Sequence, residues 1–327
     1  GVDGLRNQLL SVGYDRKLIK LPKQLKAPVR INFGKHLPSD TKVHDVNMAV
    51  QRLISECWAG RKQHHELLHR YALRMGKKRP TEIAFYDQKR PEGISRLKFA
   101  VGIVAFANHL RPLWKDKERI GICLPPSIGG AIVNHAALLS GKVTVNINYS
   151  ASSDVIEKIC ENADIDLIIT SREFLEKANV ELAGKLIYAE ERAEKITDQK
   201  RKAAFREYLL SSVLSLEKKY SSKQKRSLHE TATIIYSSGS TGVPKGVCLT
   251  HWNIASNMRQ IKEVFPLSNK DTILGMLPFF HSFGTMVGLF LPPMTGMNAS
   301  YLPTHIDPVA IGKAPREHDL TFLVATP

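Results

Sequence analysis

The sequence is short of acidic residues: 31 Asp and Glu stand against 47 Lys and Arg, a formal net charge of +16 over 327 residues. Such an excess favours nucleic acid, an anionic membrane surface or an acidic protein as partner, or simply solvates a surface. The basic residues cluster between Arg16 and Arg30 and again between Lys200 and Arg226. Neither cluster carries interleaved aromatics or a nucleic-acid-binding signature, so nucleic acid is not expected as a partner. Cysteine is also scarce. Cys57, Cys123, Cys160 and Cys248 follow no paired spacing, which argues against a disulfide scaffold and suits a reducing compartment. No initiator Met and no cleavable apolar leader opens the chain, and TFLVATP stops just after an apolar run. Both ends read as cut, so a piece of a longer polypeptide is expected. Acidic and basic residues are wholly missing between Asp271 and Asp307. That window is long enough for a membrane helix, but Pro278, Pro292, Pro293, His281 and several glycines interrupt it. Buried strand and helix pieces around a pocket are the expected reading.

What is present is globular in character. An apolar content of 43% with 24% charged residues supports a sizeable core, and the length suits about two domains of roughly 150 residues. Residues 1–60 differ from the rest: a basic segment with Pro22 and Pro28 leads into a short β-like run and a turn. Val46, Val50, Leu53, Ile54 and Trp58 then recur at helical spacing, and the helix is expected to continue through RKQHHELLHRYALRMG. Cys57, His64, His65 and His69 on this stretch invite a metal reading, with His65 and His69 one helical turn apart. The surrounding Lys, Arg and Gln favour a solvated helix face instead, and no metal site is expected. From about residue 79, strand-like runs (TEIAFYD, RIGICLP, KVTVNIN, DLIIT, KLIYA) alternate with helical ones, the pattern of an α/β fold with a largely parallel sheet. Residues 190–230 break the alternation and read as a polar surface helix followed by an exposed linker.

The stretch IYSSGSTGVPKGV follows a strand-like run, TATI. Backbone N–H groups of a Gly-rich turn form a positively polarised concavity that fits phosphate oxygens. Gly239, Gly242 and Gly246 let a ligand approach the backbone; Ser237, Ser238, Ser240 and Thr241 add hydroxyl donors, and Lys245 adds a cation. A Walker loop is excluded, because Lys245 is followed by Gly246 and a β-like run rather than by Ser or Thr opening a helix. A plain Gly/Ser linker would not be flanked by apolar runs or embed Pro244–Lys245.

YSSGSTGVPKG (Tyr236–Gly246) resembles the phosphate-binding signature of the adenylate-forming enzymes: acyl-CoA and acyl-ACP synthetases, luciferases and peptide-synthetase adenylation domains. Only Ser237 departs from it, where Thr is commoner. LPFFHSFG (Leu277–Gly284) is similar to the family's aromatic-His motif, and GKVTVNINYSASSDVIEKICENADIDLIIT to an earlier strand–helix–strand segment. The resemblance implies the N-terminal part of the adenylate-forming α/β fold, with parallel-rich sheets and flanking helices, over residues 79–327. It also implies attack of a fatty acid carboxylate on ATP to give an acyl-adenylate, with Mg²⁺ as cofactor, and transfer to the thiol of CoA or acyl carrier protein. Ser237 to Gly242, Lys245 and Gly246 would hold the ATP phosphates. Phe279, Phe280, His281, Phe283 and Gly284 would form the acyl pocket, with His281 and Lys245 in catalytic roles. The family's adenine- and ribose-binding segments and its catalytic C-terminal Lys do not occur before Pro327, so the fragment is expected to be inactive alone.

KLPKQLKAPVRINFGKHLPSD is similar to the C-terminal end of glycerolipid acyltransferase domains. Residues 1–60 are therefore expected to be an acyltransferase tail, joined by a linker helix over 61–78. His36 and Asp40 lie one residue too close for the catalytic His-x₄-Asp pair of that family. The layout resembles bifunctional enzymes that join a 2-acylglycerophosphoethanolamine acyltransferase to an acyl-ACP synthetase. It implies a lysophospholipid partner and a cytoplasmic protein able to meet the inner face of the membrane, where each Lys or Arg adds about 1 kcal/mol of attraction. A stand-alone long-chain acyl-CoA ligase and a non-catalytic nucleotide- or lipid-binding protein are the alternatives.

Overall fold

The computed structural model describes residues 2–3, 30–59, 65–221, 223, 225–237, 244–302, 309, 311–313 and 318–324. The chain divides into two units, Gly1–His65 and Glu66–Pro327. In the first, strands β1 (Val2–Asp3) and β2 (Arg30–Ile31) pair antiparallel, and helix α1 runs Val43–Ala59. The single long helix expected from the spacing is two, since residues 65–67, just before the second, are not helical.

The second unit opens with α2 (Leu68–Lys78) and the antiparallel pair β3 (Ile83–Asp87) and β4 (Arg90–Ser95). Next come α3 (Arg96–Trp114), β5 (Arg119–Ile122), α4 (Ile128–Leu139), β6 (Val143–Asn146), α5 (Ser153–Asn162) and β7 (Leu167–Thr170). The chain continues through α6 (Arg172–Ala178), β8 (Lys185–Tyr188), α7 (Ala189–Glu194), α8 (Asp198–Leu210) and α9 (Val213–Tyr220). Strands β9 (Thr231–Ser237) and β10 (Lys245–Thr250) form a hairpin, followed by α10 (His251–Val264) and β11 (Thr272–Gly275). A π-helix (Gly284–Phe290), α11 (Leu291–Thr295), β12 (Asn298–Tyr301) and β13 (Phe322–Leu323) complete the described elements.

The strands assemble into two sheets, ordered β10-β9-β6-β5-β7-β8 and β13-β11-β12-β3-β4. The pairings among β9, β6, β5, β7 and β8 are all parallel, so five C-terminal strand ends share one edge. Every residue of β6 and β7 is buried, the expected outcome for β-branched runs covered on both faces. Helices start where short polar side chains take up free N–H groups: Ser95 on Lys98, Ser127 on Gly130, and Thr250 with Asn253 in a capping box. Trp114, Tyr208, Phe85 and Phe99 fill the core, and the Tyr208 hydroxyl donates to the Leu73 carbonyl at 2.7 Å. The uncharged window from 272 resolves into β11, the π-helix, α11 and β12; no described helix is long and apolar enough to cross a membrane.

Residues 190–230 are only in part the exposed helix and linker expected: α8 is largely exposed, whereas α9 buries one face. Tyr208, Leu216 and Tyr220 are buried, and Glu217 is 5% exposed. The reason lies far off in sequence: Arg70 reaches both Glu217 carboxylate oxygens at 2.7 and 2.8 Å, and His69 Nε2 lies 2.9 Å from one of them. His69, expected on a solvated face, is fully buried, and no group of His, Cys, Asp or Glu among the described residues could hold a metal. Burial alone would raise the Glu217 carboxyl, but hydrogen bonds from Arg70 and His69 outweigh it and hold the group well below the usual carboxylate range. His251 joins the cluster: its Nδ1 accepts from the Leu68 N–H at 3.2 Å and its Nε2 lies 3.4 Å from the Arg226 guanidinium.

These histidines make stability depend on acid. Burial holds His69 down to about 4 and His135 to about 3, and drives His251 well below its ordinary value. The unfolded chain takes up these protons first as pH drops below about 6.5, so the stabilisation is complete above that pH and drains as pH falls toward 4. His69 alone accounts for on the order of 3 kcal/mol across that window. Urea unfolding at pH 7.5 and pH 4.5 should show a clear fall in midpoint; a midpoint unchanged between them would contradict the assignment.

Candidate functional site

The shared C-terminal edge of the parallel strands is where open α/β sheets bind ligands. Ser237 ends β9 there, exposed, and pairs across the hairpin with Lys245, which is exposed at the start of β10. Ser238, Gly239, Ser240, Thr241 and Gly242 lie outside the described residues. Gly246 pairs with Tyr236, and its glycine identity has a steric cause: a Cβ would stand 2.9 Å from the Tyr236 ring and 3.0 Å from Ile234. Tyr236 is held by its hydroxyl, which donates to Asn162 at 2.7 Å. Behind β10, the capping box and His251 fix the start of α10. The hairpin base is thus rigidly braced.

The LPFFHSFG segment forms a tight turn after β11. The His281 N–H donates to the Pro278 carbonyl at 3.0 Å, and the Thr285 N–H donates to the His281 carbonyl at 2.9 Å. Gly284 sits against the backbone it turns over: a Cβ there would lie 1.9 Å from the Pro278 oxygen. His281 and Phe283 are exposed with rings nearly parallel, 6.3 Å apart. The Phe283 N–H faces His281 Nδ1 at 3.4 Å, which leaves Nε2 free of that contact. Phe279 points the other way. It is 1% exposed and packs on Tyr301, so the structure places it in the core, beneath the turn. Leu274, Gly275, Leu277, Phe283, Gly284 and Val287 line a shallow apolar depression beside it. The π-helix that follows gives these side chains a spacing no α-helix would supply.

Phe280 connects the two motifs. Its ring meets Tyr149 edge-on at 4.8 Å, and Tyr149 follows β6, the strand that pairs with β9. The aromatic-His turn of one sheet is therefore tied to the edge that carries the Ser237–Lys245 hairpin of the other. Tyr149 also meets Phe174 at 4.8 Å, and burial raises its phenol well above the ordinary range. Nearby, burial pushes the Cys123 thiol up to about 12, which makes it a packing group and not a nucleophile. Sequence reasoning missed Tyr149, because a lone tyrosine after a strand carries no signal of what it will touch. It also missed Asp87, which accepts from the Ile128 N–H at 3.0 Å and so joins the second sheet to the start of α4.

A family described as AMP-binding enzyme matches residues 74–327. The Dictyostelium discoideum protein named "Probable 4-coumarate--CoA ligase 3" is 45% identical over 76 residues, 23% of this chain and 14% of that protein. Acyl-CoA ligase sidI of Beauveria bassiana is 26% identical over 214 residues, 64% of this chain and 37% of its own length. Among solved structures, O-succinylbenzoate coenzyme A synthetase (MenE) of Bacillus subtilis, in complex with ATP and magnesium ion, shares the fold. It superposes with a TM-score of 0.60 at 18% identity, over 77% of this chain and 62% of that one. The chain spans less than two thirds of the length of each of these proteins.

The turn is the most sterically demanding point of the site. Gly284→Ala should cost about 3 kcal/mol or more, because the nearest atoms are main-chain and cannot swing aside. Thermal melts of the variant check this, and an unchanged Tm would refute the close approach.

Proposed function

Because the chain belongs to the AMP-binding enzyme family, we propose that the whole protein activates a fatty acid carboxylate with ATP. The acyl-adenylate so formed passes its acyl group to a thiol, that of CoA or of acyl carrier protein. One observation carries this reading. The Tyr149–Phe280 contact ties the His281 turn to the strand edge that carries the Ser237–Lys245 hairpin, which supports a shared site in which a phosphate-binding loop and an apolar acid-binding surface would serve one ligand.

Ser237 and Lys245 stand at the two ends of the loop, and the backbone N–H groups and hydroxyls between them would face the ATP phosphates. The Lys245 ammonium would stabilise charge that develops on the departing pyrophosphate, electrostatic help given where charge appears. His281, exposed with Nε2 uncommitted to the turn, would donate to or orient the carboxylate, while Phe280 and Phe283 flank the acyl chain. Magnesium would arrive on the ATP phosphates. When bound, it neutralises phosphate charge.

The acyl-ACP synthetase/acyltransferase layout is the finer form of this proposal. The division of the chain at His65 and the start of the family match at residue 74 support a separate segment over residues 1–60, as an acyltransferase tail requires.

Acid-dependent exchange of pyrophosphate into ATP, measured on the complete polypeptide, tests the reading. Lys245→Ala should lower the rate about a hundredfold while the protein still folds, since Lys245 is exposed. Exchange unchanged by that substitution, or independent of fatty acid, would overturn it.

A further inference from the structure

Helix α8 buries a narrow stripe and leaves a broad apolar face bare. Ala204 and Tyr208 turn inward, whereas Phe205, Leu209 and Leu210 keep 40%, 49% and 88% of their surface exposed, and Leu214 at the start of α9 keeps 47%. Single exposed leucines are ordinary on a protein surface, but this run sits at one helix–helix turn. Lys202 and Arg206 share the outer side of α8 with Phe205 and Leu209, and neither has an ion-pair partner among the described residues. The nearby acids are already occupied. Glu207 takes Lys219 at 2.6 Å and the Tyr220 hydroxyl at 3.0 Å, and Asp198 takes Arg201 at 3.2 Å. The face that remains is apolar at its centre and positive at its rim.

From these observations we infer that the α8–α9 turn is a docking tip for an anionic lipid bilayer. Phe205 and the three leucines enter the layer between headgroups and acyl chains, and Lys202 and Arg206 stay level with the headgroup phosphates. Leu210, 88% exposed, stands bare at the helix end, and a deformable lipid surface receives it without a matching pocket. A second copy of this chain would bring positive charge against positive charge, in a protein of net charge +16. The inference stands apart from the proposed chemistry, although a bilayer is also where a long-chain fatty acid partitions.

Co-sedimentation of the purified chain with vesicles tests it, using phosphatidylcholine alone and phosphatidylcholine mixed with phosphatidylglycerol. Binding is expected to the anionic vesicles only, and should weaken as salt is raised. Leu209→Ser with Leu210→Ser should weaken it at least about tenfold, and Lys202→Glu with Arg206→Glu by about fivefold or more per charge removed. Leu210→Trp supplies a local readout: its emission should shift to the blue on anionic vesicles relative to the wild-type spectrum. Equal binding by wild type and the patch variants would overturn the inference, as would the lack of any blue shift. A dimer in light scattering that Leu210→Ser dissolves would overturn it too, by assigning the face to a second copy. Lys245→Ala should leave vesicle binding unchanged, so failure of the nucleotide reading and failure of this one are separable.

Discussion

Two buried threonines stitch together a parallel pairing inside the larger sheet. Thr233 on β9 donates its hydroxyl to the Thr144 carbonyl at 2.8 Å, in the middle of the parallel pairing of β9 with β6. On its other side, β9 pairs antiparallel with β10. A hairpin needs only a short loop, whereas parallel neighbours need a crossover, so β9 is where the chain can double back at the ligand edge of the sheet. Ser237 and Lys245, the paired ends of β9 and β10, stand at that edge because β9 runs with β6 and not against it. Tyr149, Phe280 and the His281 turn all take their positions from the same edge.

A second set of constraints is electrostatic and sits away from that edge. Glu217 is shared by Arg70 and His69, which ties α9 to α2, and His251 ties the start of α10 to the same helix. Because α10 follows β10 directly, the hairpin base rests on a buried polar cluster and not on apolar packing alone. Such clusters gain their strength from low local dielectric, and that same low dielectric makes losing a partner costly.

Legibility of the fold in the sequence followed the range of the interactions. Strands β5, β6 and β7 were readable because apolar, β-branched runs bounded by turn residues have one good solution in a parallel sheet. Strand β4 was not, because RPEGIS carries a proline, charges and Gly93 at φ +78°, all marks of a turn, yet it pairs with β3. The burial of α9 was hidden for another reason: the partners that make Glu217 tolerable, His69 and Arg70, come from a helix distant in sequence. Of the candidate site, the His281 turn was visible because glycine and proline announce close backbone approach, while the loop that follows Ser237 lies outside the described residues. Tyr149 and the inward turn of Phe279 were not, since packing direction is decided by neighbours the local pattern does not name.

The close approach at Gly284 bears on how such a site could diversify. The turn is closed mostly by main-chain atoms: the Pro278 and His281 carbonyls accept backbone N–H groups, and the Phe279 carbonyl accepts the Thr285 hydroxyl. The aim of His281 is thereby uncoupled from most of the side chains around the apolar depression. Leu274, Leu277 and Val287 can change in size, and so reshape the depression, without altering the main-chain bonds that close the turn.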